Sequence, residues 1–298
     1  MDGMNRRPPG LLAQFRETAE MIKISHTAFA LPFALAAAAL ALRAEGGWSW
    51  STAGLIVVCA VAARTAAMAQ NRLADHGVDA ANPRTASRAL PAGRVSRSFV
   101  LALVAGSSLV FVLGAAALNP LCGWLSPLVL ALLLGYPFTK RFTLLCHFWL
   151  GAALGVSPIG AWLAVRGDFV EMTTRLLLAA AVLFWTAGFD LIYACQDAEH
   201  DRKSGLHSIP ARLGIGNALR LSGLAHLVSV LLLAALFFSS ALVGWLFGVG
   251  FGLAVLLLVY EHAIVRPDDL SRVDLAFFTL NGLVSLVLGA TIIADAFL

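Results

Sequence analysis

Nine apolar stretches of about 20 residues each recur along the chain, at residues 24–42, 53–70, 99–118, 121–136, 147–165, 176–194, 218–238, 241–260 and 275–294. A helix of that length crosses the hydrocarbon core of a bilayer, where every backbone N–H and C=O must find its partner inside the protein. Helices meet that demand segment by segment. The pattern predicts an all-α membrane protein with nine transmembrane helices, forming one domain over residues 1–298. Composition agrees: 59% of the 298 residues are hydrophobic and 13% charged, against about 25% charged in soluble domains. One soluble core would not bury so much apolar surface.

The connections are short. Asn119-Pro120 and Ser239-Ser240 separate neighbouring stretches and predict two tight helical hairpins. Ahead of the first stretch, Arg6, Arg7, Gln14, Arg16, Glu17, Glu20 and Lys23 interrupt any signal-peptide pattern, so a cleaved leader is not expected. Cys59, Cys122, Cys146 and Cys195 stand singly, without CxxC spacing or adjacent histidine pairs, and are expected to be free thiols.

Basic residues set the orientation. With nine spans, seventeen lysines and arginines fall on one side, including Arg6, Arg7, Arg16 and Lys23 before the first stretch, and only Arg43, Arg166 and Arg175 on the other. Positive charge accumulates in cytoplasmic loops, so the N-terminus is expected in the cytoplasm, the C-terminus outside, and the protein in a bacterial-type inner membrane. The net charge of +4 then reports orientation, and no nucleic-acid partner is implied.

Two polar clusters break the apolar pattern at equivalent places. Asn71, Asp75 and Asp79 follow the second stretch at spacings of four, which on a continuing helix share one face. Asp190, Tyr193, Asp197 and Asp201 end the sixth, and Tyr193/Asp197/Asp201 repeats Asn71/Asp75/Asp79 at an offset of 122. Each cluster leads into a polar loop, Arg84 to Gly93 in one case and Gly205 to Pro210 in the other. An internal duplication accounts for the echo.

Facing carboxylate sets of this kind suit magnesium, which prefers hard oxygen ligands and commonly shares its shell between one or two carboxylates and substrate phosphates. Two Mg2+ ions bridging a diphosphate would neutralise the charge that builds on it as a leaving group. Arg88, Lys140, Arg141 and Lys203 lie on the same side and would donate to phosphate oxygens. Carboxylates at a membrane surface are often merely solvated, but five of the chain's seventeen acidic residues fall in these two clusters. Asp190 lies deeper, and its role as catalytic group or hydrogen-bond partner stays open. Glu199 and His200 fall off the shared face.

Arg64 sits seven residues before Asn71, inside a span. An ionisable residue there is costly and is functional by default; it would bind a carboxylate or phosphate in bidentate fashion, or form a structural ion pair with Asp190. His26 and His147 read as hydrogen-bonded packing residues. Phe29, Phe33 and Trp149 face either a cavity or lipid.

These residues resemble the UbiA superfamily of intramembrane aromatic prenyltransferases. The resemblance rests on NxxxDxxxD at Asn71, Asp75 and Asp79, and on Asp190, Tyr193, Asp197 and Asp201 followed by Gly205 and Ser208. Arg64, the Arg88 to Gly93 stretch and the segment from Tyr136 through Lys140 and Arg141 to Thr143 extend it. Where the family often has Asn-Asp, this chain has Asn71-Arg72.

Such a resemblance implies nine helices around a central cavity that opens sideways to lipid, with cytoplasmic cap loops after helices two and six. It implies magnesium-assisted ionisation of a polyprenyl diphosphate and alkylation of an aromatic acid. Asn71, Asp75 and Asp79 would serve one magnesium, Asp197 and Asp201 the other. Lys140 and Arg141 would hold diphosphate and Arg64 the acid. The second cluster resembles 4-hydroxybenzoate polyprenyltransferases of ubiquinone synthesis, which act at C3 of the ring. The first stretch from Met21 to Leu35 resembles members assigned to futalosine-type menaquinone synthesis. A secondary transporter also carries repeats and intramembrane carboxylates, but near the bilayer midplane on broken helices; here they lie at helix ends. Polyprenyl diphosphate, an aromatic acid and membrane lipid are the expected partners.

Overall fold

The computed structural model describes residues 17, 27–45, 49–170 and 172–298. His26, the four basic residues ahead of the first stretch and the opening residues 21–26 of the Met21–Leu35 segment lie outside them. Among the described residues the long helices are α1 (Thr27–Glu45), α2 (Trp50–Ala74), α3 (Arg97–Leu118), α4 (Pro120–Thr139), α5 (Cys146–Arg166), α6 (Thr173–Ala194), α7 (Ile215–Ser239), α8 (Trp245–Ile264) and α9, a π turn over Leu275–Leu280 continued by Asn281–Ala296. Eight are long and apolar enough to cross a membrane; α1 is an additional long helix packed against α5 and α9. The protein is an integral membrane protein, all-helical as its apolar pattern requires.

Local chemistry places the helix ends. Ser49 accepts from the Thr52 amide, Ser96 from that of Phe99, and Asn119 from that of Cys122, with Pro120 at the first helical position. Asn119 Nδ2 also donates to the Leu163 carbonyl at 2.8 Å, which pins the α3–α4 turn to the end of α5. At the same end Asp295 accepts from the Gly244 and Phe247 amides at 2.7 and 2.8 Å and caps α8.

Helix α6 is the most buried of the spans and α4 among the least. Between α5 and α6, Gly151 and Gly155 bring backbone onto backbone: an added Cβ would stand 2.3 Å from the Leu183 carbonyl oxygen and 2.7 Å from that of Ala179. Only glycine allows that approach, and in lipid such packing is a main source of helix association.

A buried polar network crosses α6, α8 and α9. Asn281 Nδ2 donates to Glu261 Oε1 at 2.8 Å and to the Ala276 carbonyl at 2.9 Å, while its Oδ1 accepts from Trp185 Nε1 at 2.7 Å. The Ala276 carbonyl belongs to the π turn, so Asn281 satisfies a backbone group within it.

The single continuous helical face expected for each acidic cluster needs correction. Helix α2 ends at Ala74 and a separate short helix, His76–Ala81, follows; α6 ends at Ala194, passes through a 3-10 turn at Cys195–Asp197 and resumes as Ala198–Lys203. Asp75 and Asp197 occupy the two joints with nearly equal backbone angles, φ −94°, ψ 5° and φ −103°, ψ 2°. The duplication seen in sequence is thus a repeated joint, bent at the carboxylate itself. The i to i−4 bonds across the first joint survive, from Asp75 N to Asn71 O and from Asp79 N to Asp75 O, which keeps the three side chains of that cluster together.

Candidate active site

The two joints face one another across a cavity of about 490 Å3. Its polar end is lined by Asn71, Asp75, Asp79, Asp197 and Asp201, and its deeper part by Arg64, His147, Asp190, Phe29, Phe189 and Phe277. Tyr193, Arg88 and Lys140 also line it. Arg141 and Lys203 do not. Arg141 lies over the Phe138 ring and donates to the Ala74 carbonyl, while Lys203 is exposed and paired with Glu199.

Cations already balance three of the carboxylates, those of Asp75, Asp79 and Asp197. Lys140 Nζ donates to Asp75 Oδ2 at 2.6 Å and Arg88 Nη1 to Asp79 Oδ1 at 2.7 Å. Arg84 Nε donates to Asp197 Oδ1 at 2.9 Å, its Nη2 bonds the other carboxylate oxygen, and its Nη1 donates to the Tyr193 hydroxyl at 3.0 Å. Asn82 Nδ2 adds a donor to Asp197 Oδ1 at 2.8 Å. Burial pushes the Asp75 carboxyl above the usual carboxylate range even with Lys140 beside it. Burial works against the charge of Arg84, but Asp197 and Tyr193 outweigh it and hold the guanidinium more firmly protonated than usual.

Asp75 Oδ1 and Asp79 Oδ2 are buried and accept no hydrogen bond. Two hard oxygens without a hydrogen bond, one on the carboxylate paired with Lys140 and the other on the carboxylate paired with Arg88 and 3.9 Å from Arg72 Nη1, fit a divalent ion that takes its remaining ligands from elsewhere. Among the described residues no three acidic, histidine or cysteine side chains gather closely enough to cage a metal alone.

Deeper in the cavity, Asp190 Oδ2 is 2.7 Å from His147 Nδ1. The structural pair of Asp190 with Arg64, one of the two sequence readings, gives way to this one. Above it stands an aromatic wall. Phe189 and Phe277 meet edge-on at 5.3 Å, Phe29 touches both, and Tyr193 lies 4.2 Å from Phe277. Phe33 packs under Trp185 in the core, and Trp149 is 38% exposed, so of the three aromatics considered in sequence only Phe29 lines the cavity.

Sequence reasoning passed over Arg84, Asn82 and the partnership of His147. Arg84 stood in a polar loop with other arginines, and only the folded loop shows which one crosses to the second cluster. His147 carried a weak signal, four residues before Gly151 and near the start of a span.

An intramembrane cavity with an acidic, cation-balanced mouth and an aromatic interior fits a membrane enzyme. The chain matches the UbiA prenyltransferase family over residues 30–283 and belongs to it. It is 33% identical over 244 residues, 81% of each chain, to the 4-hydroxybenzoate octaprenyltransferase of Aromatoleum aromaticum. It is 32% identical to the 4-hydroxybenzoate solanesyltransferase of Synechocystis sp., over 70% of this chain and 74% of that one. Among solved structures, a UbiA homolog from Aeropyrum pernix K1 superposes with a TM-score of 0.80 at 38% identity, over 92% of this chain and 98% of that one. A UbiA homolog from Archaeoglobus fulgidus bound to DMAPP and Mg2+ shares the fold at a TM-score of 0.71 and 18% identity, over 93% and 99%. The chain is accordingly a prenyltransferase.

Proposed function

We propose that this enzyme transfers a polyprenyl group from its diphosphate to C3 of 4-hydroxybenzoate, as in ubiquinone synthesis. The observation that carries this reading is the division of one cavity into an acidic mouth with orphaned oxygens and an aromatic interior ending at Arg64 and Asp190. The names of its relatives supply the acceptor.

Lys140 and Arg88 turn from Asp75 and Asp79 toward the diphosphate oxygens. Asn71, Asp75 and Asp79 on one side, and Asp197 and Asp201 on the other, would hold two magnesium ions. Bound there, magnesium neutralises the charge that develops on the leaving diphosphate. The C1–O bond of the prenyl chain breaks with its electron pair leaving on diphosphate. Phe29, Phe189 and Phe277 keep water from the allylic cation, and Tyr193 joins that wall. Arg64 holds the carboxylate of the acid, its ring C3 bonds to the prenyl carbon, and the proton displaced from C3 goes to Asp190. Arg141 and Lys203, outside the cavity lining, would act on the diphosphate only from the rim. The acidic mouth faces the cytoplasm of an inner membrane, the N-terminus is cytoplasmic and the C-terminus outside, and residues 1–298 act as one domain with the prenyl tail among lipid.

A second reading keeps the chemistry and changes the acceptor to another aromatic acid of futalosine-type menaquinone synthesis. The sequence from Met21 to Leu35 favours it, and identities of 32 and 33% to the relatives named above leave room for a changed acceptor. The test is a product assay in nanodiscs with magnesium, geranyl or longer polyprenyl diphosphate and a panel of hydroxy-aromatic acids, read by mass spectrometry with a chelator control. A magnesium-dependent 3-prenyl-4-hydroxybenzoate supports the first reading. Turnover only with a different acid supports the second, and silence with every acid overturns both.

A further inference from the structure

His147 is 3% exposed and both of its ring nitrogens are engaged in a fixed sense. The Ile209 amide donates to Nε2 at 3.3 Å, so that nitrogen carries the lone pair. The proton of the neutral ring therefore sits on Nδ1, which donates to Asp190 Oδ2 at 2.7 Å. The imidazole receives one hydrogen bond from a loop and passes one to a carboxylate in the cavity.

The loop at its back is part of the second acidic unit. Ile209 opens the short helix Ile209–Leu213, directly after the turn that follows Asp201. That turn is fastened by backbone to the α4–α5 connection, with the His207 amide donating to the Lys140 carbonyl at 2.7 Å. Lys140 in turn holds Asp75. One continuous set of hydrogen bonds thus joins the acidic mouth, the second loop and the deeper carboxylate.

A histidine that merely filled space would have no need of a cavity-facing partner. Asp190 lines the cavity with its side chain 22% exposed, and its Oδ1 has no hydrogen-bond partner among the described residues. One oxygen is fixed and the other is available.

We propose that His147 is a positioning residue for the transfer step: it orients the Asp190 carboxylate so that Oδ1 receives the proton leaving the alkylated ring, and ties that orientation to the seating of the loop at Ile209. This rests on the role given to Asp190 above. Ionisation of the diphosphate happens at the other end of the cavity, on groups that His147 does not itself touch. Losing His147 therefore separates the two half-reactions: the cation still forms and adds to the ring, the alkylated ring loses its proton slowly and reverts by reopening the new C–C bond, and water captures more of the re-formed cation as prenyl alcohol.

The test compares wild type, His147→Leu and His147→Asn in nanodiscs with magnesium, geranyl diphosphate and the best acceptor of the panel. The asparagine amide puts an N–H donor close to where Nδ1 stood. For His147→Leu the expected result is a kcat about 100-fold lower, the size of loss that misplacement of a reacting group by about 1 Å produces. Its KM for diphosphate should stay near the parent value and its ratio of prenyl alcohol to prenylated acid should rise, while His147→Asn recovers most of both. Parental kcat and product ratio in His147→Leu overturn the proposal, as do equal losses in both variants. A wild type that prenylates no acid overturns the assigned function as well, so the two failures are told apart by the wild-type lane.

Discussion

Arg84 and Asp197 stand 113 residues apart in sequence and meet as a fork on a carboxylate, Nε on Oδ1 at 2.9 Å and Nη2 on Oδ2. The guanidinium also lies over the Tyr193 ring, 5.1 Å from its centroid. Through this contact the loop after the first acidic cluster is tied to the joint of the second. Bidentate geometry of this kind belongs to arginine and is lost on change to lysine.

Arg84→Ala should raise the KM for polyprenyl diphosphate about tenfold, because the two loops lose their clasp and the anionic substrate loses a nearby cation. Arg84→Lys should recover little. Steady-state kinetics with a saturating acceptor checks both, and a full rescue by lysine would mean that charge alone matters at this position.

Asp75→Asn and Asp197→Asn each remove a carboxylate from one joint. Turnover should drop at least ~100-fold, the scale seen when one charge-stabilising group is deleted from an active site, while the thermal transition in detergent stays intact. Chelation of magnesium in the wild type should match the loss. Near-parental activity in both variants would sink the two-metal reading.

Arg64→Ala should act on the other substrate. The expected change is a KM for the aromatic acid raised by 10-fold or more with the KM for diphosphate unchanged, since a truncated buried charge pair commonly costs about 2–5 kcal/mol. An unchanged KM for the acid would assign Arg64 to packing.

Asn281→Ala leaves Trp185 Nε1 and Glu261 Oε1 without their shared partner in an apolar interior, while the Ala276 carbonyl keeps the backbone amide of residue 281. Each such orphan costs about 1–3 kcal/mol. The variant should lose several degrees of thermal stability in detergent, measured by a melting scan, and the Phe277 side of the cavity wall should loosen with it.

Much of this was readable before the fold. Apolar stretches announced the spans because lipid permits little else, and Asp75 and Asp79 stood out because they recur as Asp197 and Asp201 at one offset, with Tyr193 in the place of Asn71. The bend at Asp75 was hidden, since a helix that keeps its i to i−4 bonds while turning leaves no mark in spacing, and the 3-10 turn before Ala198 keeps the chain helical enough to hide the second. Arg84, Arg88, Arg141 and Lys203 looked alike as loop cations. Their separation into cavity and surface depends on how the loops fold over each other, which is a matter of long-range contact. His147 was legible as a buried histidine, but its orientation depends on the Ile209 amide 62 residues away.

The close seam of Gly151 and Gly155 against Leu183 and Ala179 has a bearing on substrate choice. His147 lies one turn before this seam on α5, and Asp190 two turns beyond Leu183 on α6. With backbone resting on backbone, the two helices cannot shear or part to admit a wider ring, so they act as a fixed gauge for the acceptor. Reshaping the enzyme for a larger aromatic acid is therefore a matter of trimming side chains that line the gap, Leu150 and Leu154 first, and changes that try to spread the helices apart should cost the gauge its setting.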